Sequence, residues 1–450
     1  MKELFKNIAL GANAVLLVVL FWLSVSVNVD LGSKDPLAPV SRWLRGEAAP
    51  TQTVETSVTP AAYPVRIVAV QQEGIAVAFQ QEEVEPLFQE LMPVFYEALG
   101  AAQPPEAMEE QAYWELSMAG PGFRLDFDGQ MPLYALRIWA GAPESEGFDQ
   151  SCSSVVLAAQ GQEVVLAFQG ADGAYYRCST MAGADGLRKL LASAPPDGAF
   201  FAADGAVFVG EGGDPQPVYG GLAPDEVILP GSISLPSFEV TVPSLLTGQE
   251  TPRGLLEAFS MNPYMENHYA ESDGSMVYVQ GNFVLRLGTD GRIQFSATGG
   301  EGLAADPGEG LRTQAVALID LARNAAEDVL AQCDSSMTVS LRSITPLNEE
   351  GDYTIVFGCQ VQGVPLSASG AGSIVAQAED GVIVSLEMQV MNVSQGEEME
   401  LLPYEQAAAA LMGRENARLL PRYRLQEGRL IPYMSYSTPE GAGADGLEKG

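Results

Sequence analysis

Histidine is almost missing from this 450-residue chain, with His268 the only one. A Ser–His–acid or Cys–His relay would have to be built on that residue. It sits between Asn267 and Tyr269 at the start of an expected strand, with no nucleophile elbow nearby. HExxH, SxxK with its supporting motifs and the phosphate-cradling GxxxxGK[ST] are missing as well. Cysteine is sparse: Cys152, Cys178, Cys333 and Cys359 occur without any CxxC pair, which excludes the usual zinc spacings. Positive charge is short too. Lys plus Arg number 23 against 58 Asp plus Glu, so 23 − 58 = −35, a surface that repels nucleic acid and anionic lipid headgroups. Nothing in the chain calls for a metal or a cofactor, and no catalytic set emerges.

What is present begins at the N-terminus. Residues Ile8–Val29 form an apolar run without a charge, preceded by Lys2 and Lys6 and closed by Asp30. As a helix it reaches roughly 33 Å, enough for a hydrocarbon core of about 30 Å. The flanking charges place residues 1–7 in the cytoplasm, the span at 8–29 and the rest outside the cell membrane. A cleaved secretory signal is the rival reading, since Ser24-Val25-Ser26 offers small residues after an apolar core. Within the span Gly11, Ala12, Asn13 and Ala14 make a small-residue face suited to helix–helix contact.

Beyond the span, Pro36, Pro39, Pro50 and Pro60 mark a stalk over 30–62. Alternating strands, turn pairs such as Asp128-Gly129, Asp273-Gly274, Asp290-Gly291 and Asp380-Gly381, and a few helices follow. They divide into an N-terminal α+β domain at 63–160, a middle domain at 161–244, a C-terminal α+β domain at 245–437 and a frayed tail at 438–450. Expected helices include Glu83–Leu99, which Pro93 kinks or splits, and Leu311–Cys333, the most regular outside the membrane. The fold class expected is multi-domain α+β: antiparallel sheets with helices packed on one face.

Three groups of side chains stand out. Asp126 and Asp128 alternate on an expected strand and share a sheet face; they fit a Ca²⁺ site, a carboxylate-based hydrolase or a solvated strand end. Cys152–Cys178 and Cys333–Cys359 would, if oxidised, each close a loop contributing about 3.5 kcal/mol, or the four remain buried thiols. Arg414, Arg418, Arg422, Arg424 and Arg429 stand against only Glu415 and Glu427, a net +3 stretch in an acidic chain. These guanidinium groups meet either a partner's acidic surface or carboxylates within the chain.

In the second half, the run Gly254-Leu-Leu-Glu-Ala-Phe-Ser-Met-Asn-Pro263, then Tyr269-Ala-Glu-Ser-Asp-Gly-Ser-Met-Val-Tyr-Val279, then Leu285-Arg-Leu-Gly-Thr-Asp-Gly-Arg-Ile293 resembles the YycH/YycI family. Asp380-Gly381-Val-Ile and Tyr404–Leu411 continue the resemblance in the same order, and the length is that of its YycH branch. The resemblance implies one N-terminal span, an extracytoplasmic α+β body without enzymatic activity, and binding to an essential sensor histidine kinase that governs cell-wall metabolism in Gram-positive bacteria. A paralogous YycI-like protein is a second implied partner. An envelope or glycan-binding module, or a cell-wall hydrolase using Asp126 and Asp128, is the alternative.

Overall fold

The computed structural model describes residues 62–209, 215–247, 252–304, 310–348, 351–367, 370–438 and 441–447. The expected span at 8–29, its Gly11–Ala14 face and the stalk up to residue 61 lie outside the described residues. Among the described residues no helix is long and apolar enough to cross a membrane.

The first sheet is built from seven antiparallel strands. In chain order they are β1 (Arg66–Gln71), β2 (Gly74–Ala78), β3 (Glu106–Met108), β4 (Gly122–Pro132), β5 (Ser151–Gln160), β6 (Glu163–Gln169) and β7 (Tyr175–Gly183). Their spatial order is β2-β1-β4-β5-β6-β7-β3. Helix α1 (Gln81–Gly100) buries Val84, Phe88, Leu91 and Phe95, one stripe at helical spacing, in the core that holds Ile67, Leu125 and Leu157. The split expected at Pro93 does not occur. Pro86 and Pro93 both lie on the exposed side of a continuous helix, where water can satisfy the carbonyls they leave unpaired.

Helix α2 (Glu110–Ala119) packs Tyr113 against Val156, Ala158 and Ala167, the residues alternating with those that α1 covers. Helices therefore lie on both faces of this sheet, where one face was expected. Helices α3 (Leu133–Trp139) and α4 (Asp185–Leu191) complete the α1 side. The sheet also runs through the 160/161 boundary read from the sequence. That boundary falls in the β5–β6 turn, where Gly161 takes φ 62°.

Short pairs follow: β8 (Phe200–Phe201) with β11 (Val227–Ile228), and β9 (Val207–Val209) with β10 (Pro215–Pro217). After β12 (Ser234–Thr241), α5 (Ser244–Thr247) and α6 (Arg253–Ala258), a meander of β13 (His268–Ala270), β14 (Met276–Gln280), β15 (Phe283–Leu287) and β16 (Arg292–Ala297) begins the second large sheet. It is completed by β17 (Leu303–Ala304), β18 (Thr338–Pro346), β19 (Tyr353–Val361), β20 (Val364–Pro365), β21 (Ser373–Glu379) and β22 (Val382–Gln389), with β16 beside β22 and β18 at the far edge. The turns at Gly274, Gly291 and Gly381 take positive φ, as their Asp-Gly pairs predict.

Helix α7 (Leu311–Gln332) lies across this sheet and buries Ala315, Leu318, Ile319, Ala322, Ala326, Val329 and Leu330. Its first turn is capped from a distance. The Glu144 carboxylate accepts from the Thr313 amide at 3.0 Å and its hydroxyl at 2.8 Å, while Arg312 forks onto Asp149 at 2.8 and 2.9 Å. A third sheet joins β23 (Asn392–Glu400), β12, β25 (Arg429–Thr438) and β24 (Arg418–Gln426), with α8 (Tyr404–Ala410) preceding β24. The frayed tail expected from 438 is instead partly ordered, since β26 (Gly441–Leu447) pairs with β25.

Candidate functional site

Strand β4 reads Phe123-Arg-Leu-Asp-Phe-Asp128. Period two sends Phe123, Leu125 and Phe127 into the core and turns Arg124, Asp126 and Asp128 to the other side. That side is not solvent. Arg66, directly across the ladder on β1, donates from Nε to Asp126 at 2.7 Å and from Nη1 to Glu226 at 2.7 Å. Arg124 meets Asp126 at 2.9 Å and Asp225 at 2.9 Å, and Arg418 of β24 reaches Asp225 at 2.9 Å. Three guanidinium groups and three carboxylates thus close on one another, with Asp225 and Glu226 fully buried. Burial alone would raise the Asp126 carboxyl, but Arg124, Arg66 and Arg418 outweigh it and hold it well below the usual carboxylate range.

Two residues along, Asp128 forms a second clamp. Its buried carboxylate lies 2.7 Å from Arg342 Nε of β18 and 2.7 Å from Arg422 Nη2 of β24. The remaining Arg342 donors go to the Leu366 carbonyl at 2.6 Å, the Gly372 carbonyl at 3.1 Å and the Ser373 hydroxyl at 3.0 Å. Two glycines provide the room. A Cβ on Gly129 would stand 2.1 Å from the Arg342 carbonyl oxygen, and one on Gly358 2.5 Å from both Arg342 Nε and Asp128 Oδ2. Asp128-Gly129, read from the sequence as a turn, is therefore a strand crossing where β4 lies against β18.

The two clamps tie all three large sheets together, because β4, β18 and β24 belong to different ones. They do not fit acid–base chemistry. A glycosidase needs one carboxyl kept protonated and another facing a sugar or a water; here both carboxylates are taken up by arginine. The hydrolase reading of Asp126 and Asp128 is overturned, and so is the solvated strand end. Part of the arginine-rich stretch meets the chain's own acids, the second of the two readings it allowed. Arg418 and Arg422 serve the clamps, Arg429 binds Glu239 at 2.7 Å, and Arg414 and Arg424 lie over the rings of Tyr436 and Tyr433. Three of the five arginines thus meet carboxylates within the chain, and two lie over tyrosine rings.

All four cysteines are buried free thiols. Cys152 on β5 and Cys178 on β7 have β6 between them, so their Cα atoms stand at least about 9 Å apart, beyond the roughly 7 Å a disulfide spans. Burial pushes the Cys359 and Cys178 thiols up to about 12, and Cys333 to about 11. His268 is exposed on β13, stacked on Tyr278 with ring centroids 5.4 Å apart. Among the described residues no three His, Cys, Asp or Glu converge as metal ligands. A shallow cleft of about 350 Å³ beside β2 is lined by Ile75, Met118, Phe200 and Phe201, with Asp204 its only ionisable residue.

Arg66, Arg124, Asp225, Glu226 and Arg342 were not singled out from the sequence. A signal existed: Val65-Arg66-Ile67 and Arg124-Leu-Asp126 place single charges inside otherwise apolar strands, where only a partner of opposite sign makes them tolerable.

A different carboxylate group lies on α7. Asp320 accepts from Trp139 Nε1 of α3 at 3.3 Å and faces Arg323 at 3.7 Å, with Glu327 one turn beyond. Burial raises both carboxyls above their ordinary values, and Arg323 only partly offsets this.

No protein-family model matches the chain, and no curated protein matches it. Among solved structures it is similar to YycH from Bacillus subtilis, at 11% sequence identity with a TM-score of 0.47, over 83% of this chain and 93% of that one.

Proposed function

We propose that this chain is a membrane-anchored extracytoplasmic regulator that modulates a sensor histidine kinase by protein–protein contact. The supporting observation is the motif run Gly254–Ile293, on which the sequence resemblance to the YycH/YycI family rests. Its three parts fall on successive elements: α6, the β13–β14 hairpin turned at Gly274, and the β15–β16 hairpin turned at Gly291. The carboxylates that favoured a hydrolase are committed to arginine, which removes the feature on which that alternative stood.

The physical mechanism is differential binding: kinase output changes only to the extent that contact favours one signalling state over the other. The span at 8–29 supplies the contact in the bilayer through Gly11, Ala12, Asn13 and Ala14, and a paralogous YycI-like protein joins the assembly outside it. The test replaces residues 1–29 with a cleavable secretion signal and follows transcription from the kinase's target promoters. Expected is loss of regulation with the body still secreted and folded; unchanged output would overturn the anchor-based reading. A photocrosslinking residue at Asn13 should capture the kinase in native membranes.

A further inference from the structure

Most outer strands of the three large sheets are short or covered. In the first, β3 has three residues, and β2 is closed by Asp197, which donates its amide to the Ile75 carbonyl at 3.1 Å and accepts the Val77 amide at 2.8 Å. In the second, β13 has three residues and β18 is crossed by β4. In the third, β24 is met by Leu366 and by Ser367, whose amide donates to the Tyr423 carbonyl at 2.7 Å. Strand β23 has no such cover. It runs nine residues and pairs with β12 on one side, and among the described residues nothing pairs with the other. Every residue from Ser394 to Glu400 is exposed.

Hydrogen bonds show which backbone groups face the open side. The Leu401 amide donates to the Ile233 carbonyl at 2.8 Å, toward β12, so by alternation Met399 faces inward and Glu398 outward. Pro236, opposite Glu398, agrees: its carbonyl accepts the Tyr423 hydroxyl at 2.9 Å, on the side of β12 away from β23. The register shifts between Pro236 and Phe238, and the outward set shifts with it. Val240 donates its amide to Gly428 at 2.9 Å on the β25 side, which turns Glu239 toward β23 and leaves Gln395 and Val393 facing out.

We infer that β23 is a docking edge for an extended, lysine- or arginine-bearing segment of another protein, which joins the third sheet as a further strand. The backbone selects the class of ligand: donors and acceptors alternating along an open edge are matched by another polypeptide strand. Charge selects its sequence. Glu397 and Glu398 are exposed and have no ion pair among the described residues. The Glu398 carboxylate accepts only from the Ser234 hydroxyl at 3.2 Å, and at Glu397 the bond is to the main chain, from the Ser237 hydroxyl at 3.0 Å. A cation on the incoming strand gains a cross-strand pair here, whereas like charges directly opposite are destabilising. The same rule turns away a second copy of this chain, which would bring acid against acid. This contact lies on the folded body and does not depend on the one proposed in the bilayer.

The test uses the full-length chain in detergent and a fluorescent peptide of alternating lysine and threonine, read by anisotropy. Threonine favours the strand, and lysine puts positive charge along one face. Expected is saturable binding that weakens as salt rises. Two changes separate backbone pairing from charge. The same peptide with every backbone amide methylated keeps its charges but has no donor to offer, and should bind about tenfold more weakly or worse. Glu397→Lys with Glu398→Lys, neither of which loses an ion pair, should weaken the lysine peptide by about the same factor and admit its glutamate–threonine counterpart. Four results would overturn the inference: no saturable binding, equal binding of the methylated peptide, equal binding to the charge-reversed variant, or binding only after deletion of residues 30–61. The last would make that segment, with its Lys34, Arg42 and Arg45, the occupant in place of another protein.

Discussion

The clamps on β4 and the acid pair on α7 use the same chemistry and reach opposite states. Asp126 is buried among three guanidinium groups and its carboxyl is held far down. Asp320 and Glu327 are less buried, yet they share one guanidinium, Arg323, and both are pushed up. Depth of burial therefore does not decide the sign. The number of opposite charges within reach does, because each close guanidinium offsets part of the desolvation cost and a single one shared by two acids cannot. The first arrangement fastens sheets together; the second leaves two carboxyls on α7, one of them bonded to Trp139 of α3, whose charge depends on pH.

The most severe way to break the contrast is to remove the room or the charge at the second clamp. Gly129→Ala would force a methyl group to within 2.1 Å of the Arg342 carbonyl oxygen, backbone against backbone, so β4 and β18 must part. Expected is failure to accumulate folded protein, whereas Gly141→Ala, which has φ 80° but nothing within 4 Å, should cost only about 1–2 kcal/mol. Asp128→Asn leaves Arg342 and Arg422 without their counter-charge and should cost about 3–5 kcal/mol. Urea denaturation would register it as a lower midpoint at unchanged slope. A loss below about 1 kcal/mol would mean that water reaches the clamp.

Acid titration sharpens the comparison at smaller amplitude, because the two regions respond in opposite directions. The folded pKa of Asp126 lies below its unfolded value, so the stability it contributes is complete above about pH 4 and is lost as pH falls toward the folded value. Asp320 and Glu327 have folded values above their unfolded ones, so the fold gains stability as pH falls from neutral toward about 4 and these groups take up protons. Melting temperature against pH should accordingly rise and then collapse. Asp126→Asn should flatten the acid collapse, and Asp320→Asn with Glu327→Gln should remove the rise. A rise that persists in the double variant would assign it to other groups.

Local signals carried much of this fold. The stripe from Ala315 to Leu330 places α7 within a residue of where it is found, and the Asp-Gly pairs at 273–274, 290–291 and 380–381 all turn as glycine's access to positive φ requires. Asp128-Gly129 has the same letters and does something else. Its glycine is needed for a crossing with a strand more than two hundred residues away, and no local window holds that information. The same holds for Asp126, which is paired with Arg66 of β1 and feels Arg418 of β24 at longer range. Pro93 fails as a helix breaker because α1 turns it to water, a choice made by the packing of Phe88 and Phe95. The arginines at 418 and 422 were legible as complements to internal acids, though which acids depended on the sheets.

The smallest expected effect separates ion-pair fastening from covalent fastening. Had Cys152–Cys178 and Cys333–Cys359 formed, each would contribute about 3.5 kcal/mol through the unfolded chain, comparable to a whole clamp. With β6 between β5 and β7 the first pair cannot close without removing a strand from the middle of the sheet, and Cys359 is enclosed at the Arg342 end of β19. A thiol reductant should therefore leave the melting temperature unchanged, and denaturant should release four reactive thiols per chain, all slow to react in the folded state because burial keeps them protonated. Two thiols in place of four would show that a pair had oxidised at the expense of the sheet, and would move part of the load from the arginine clamps to a covalent bond.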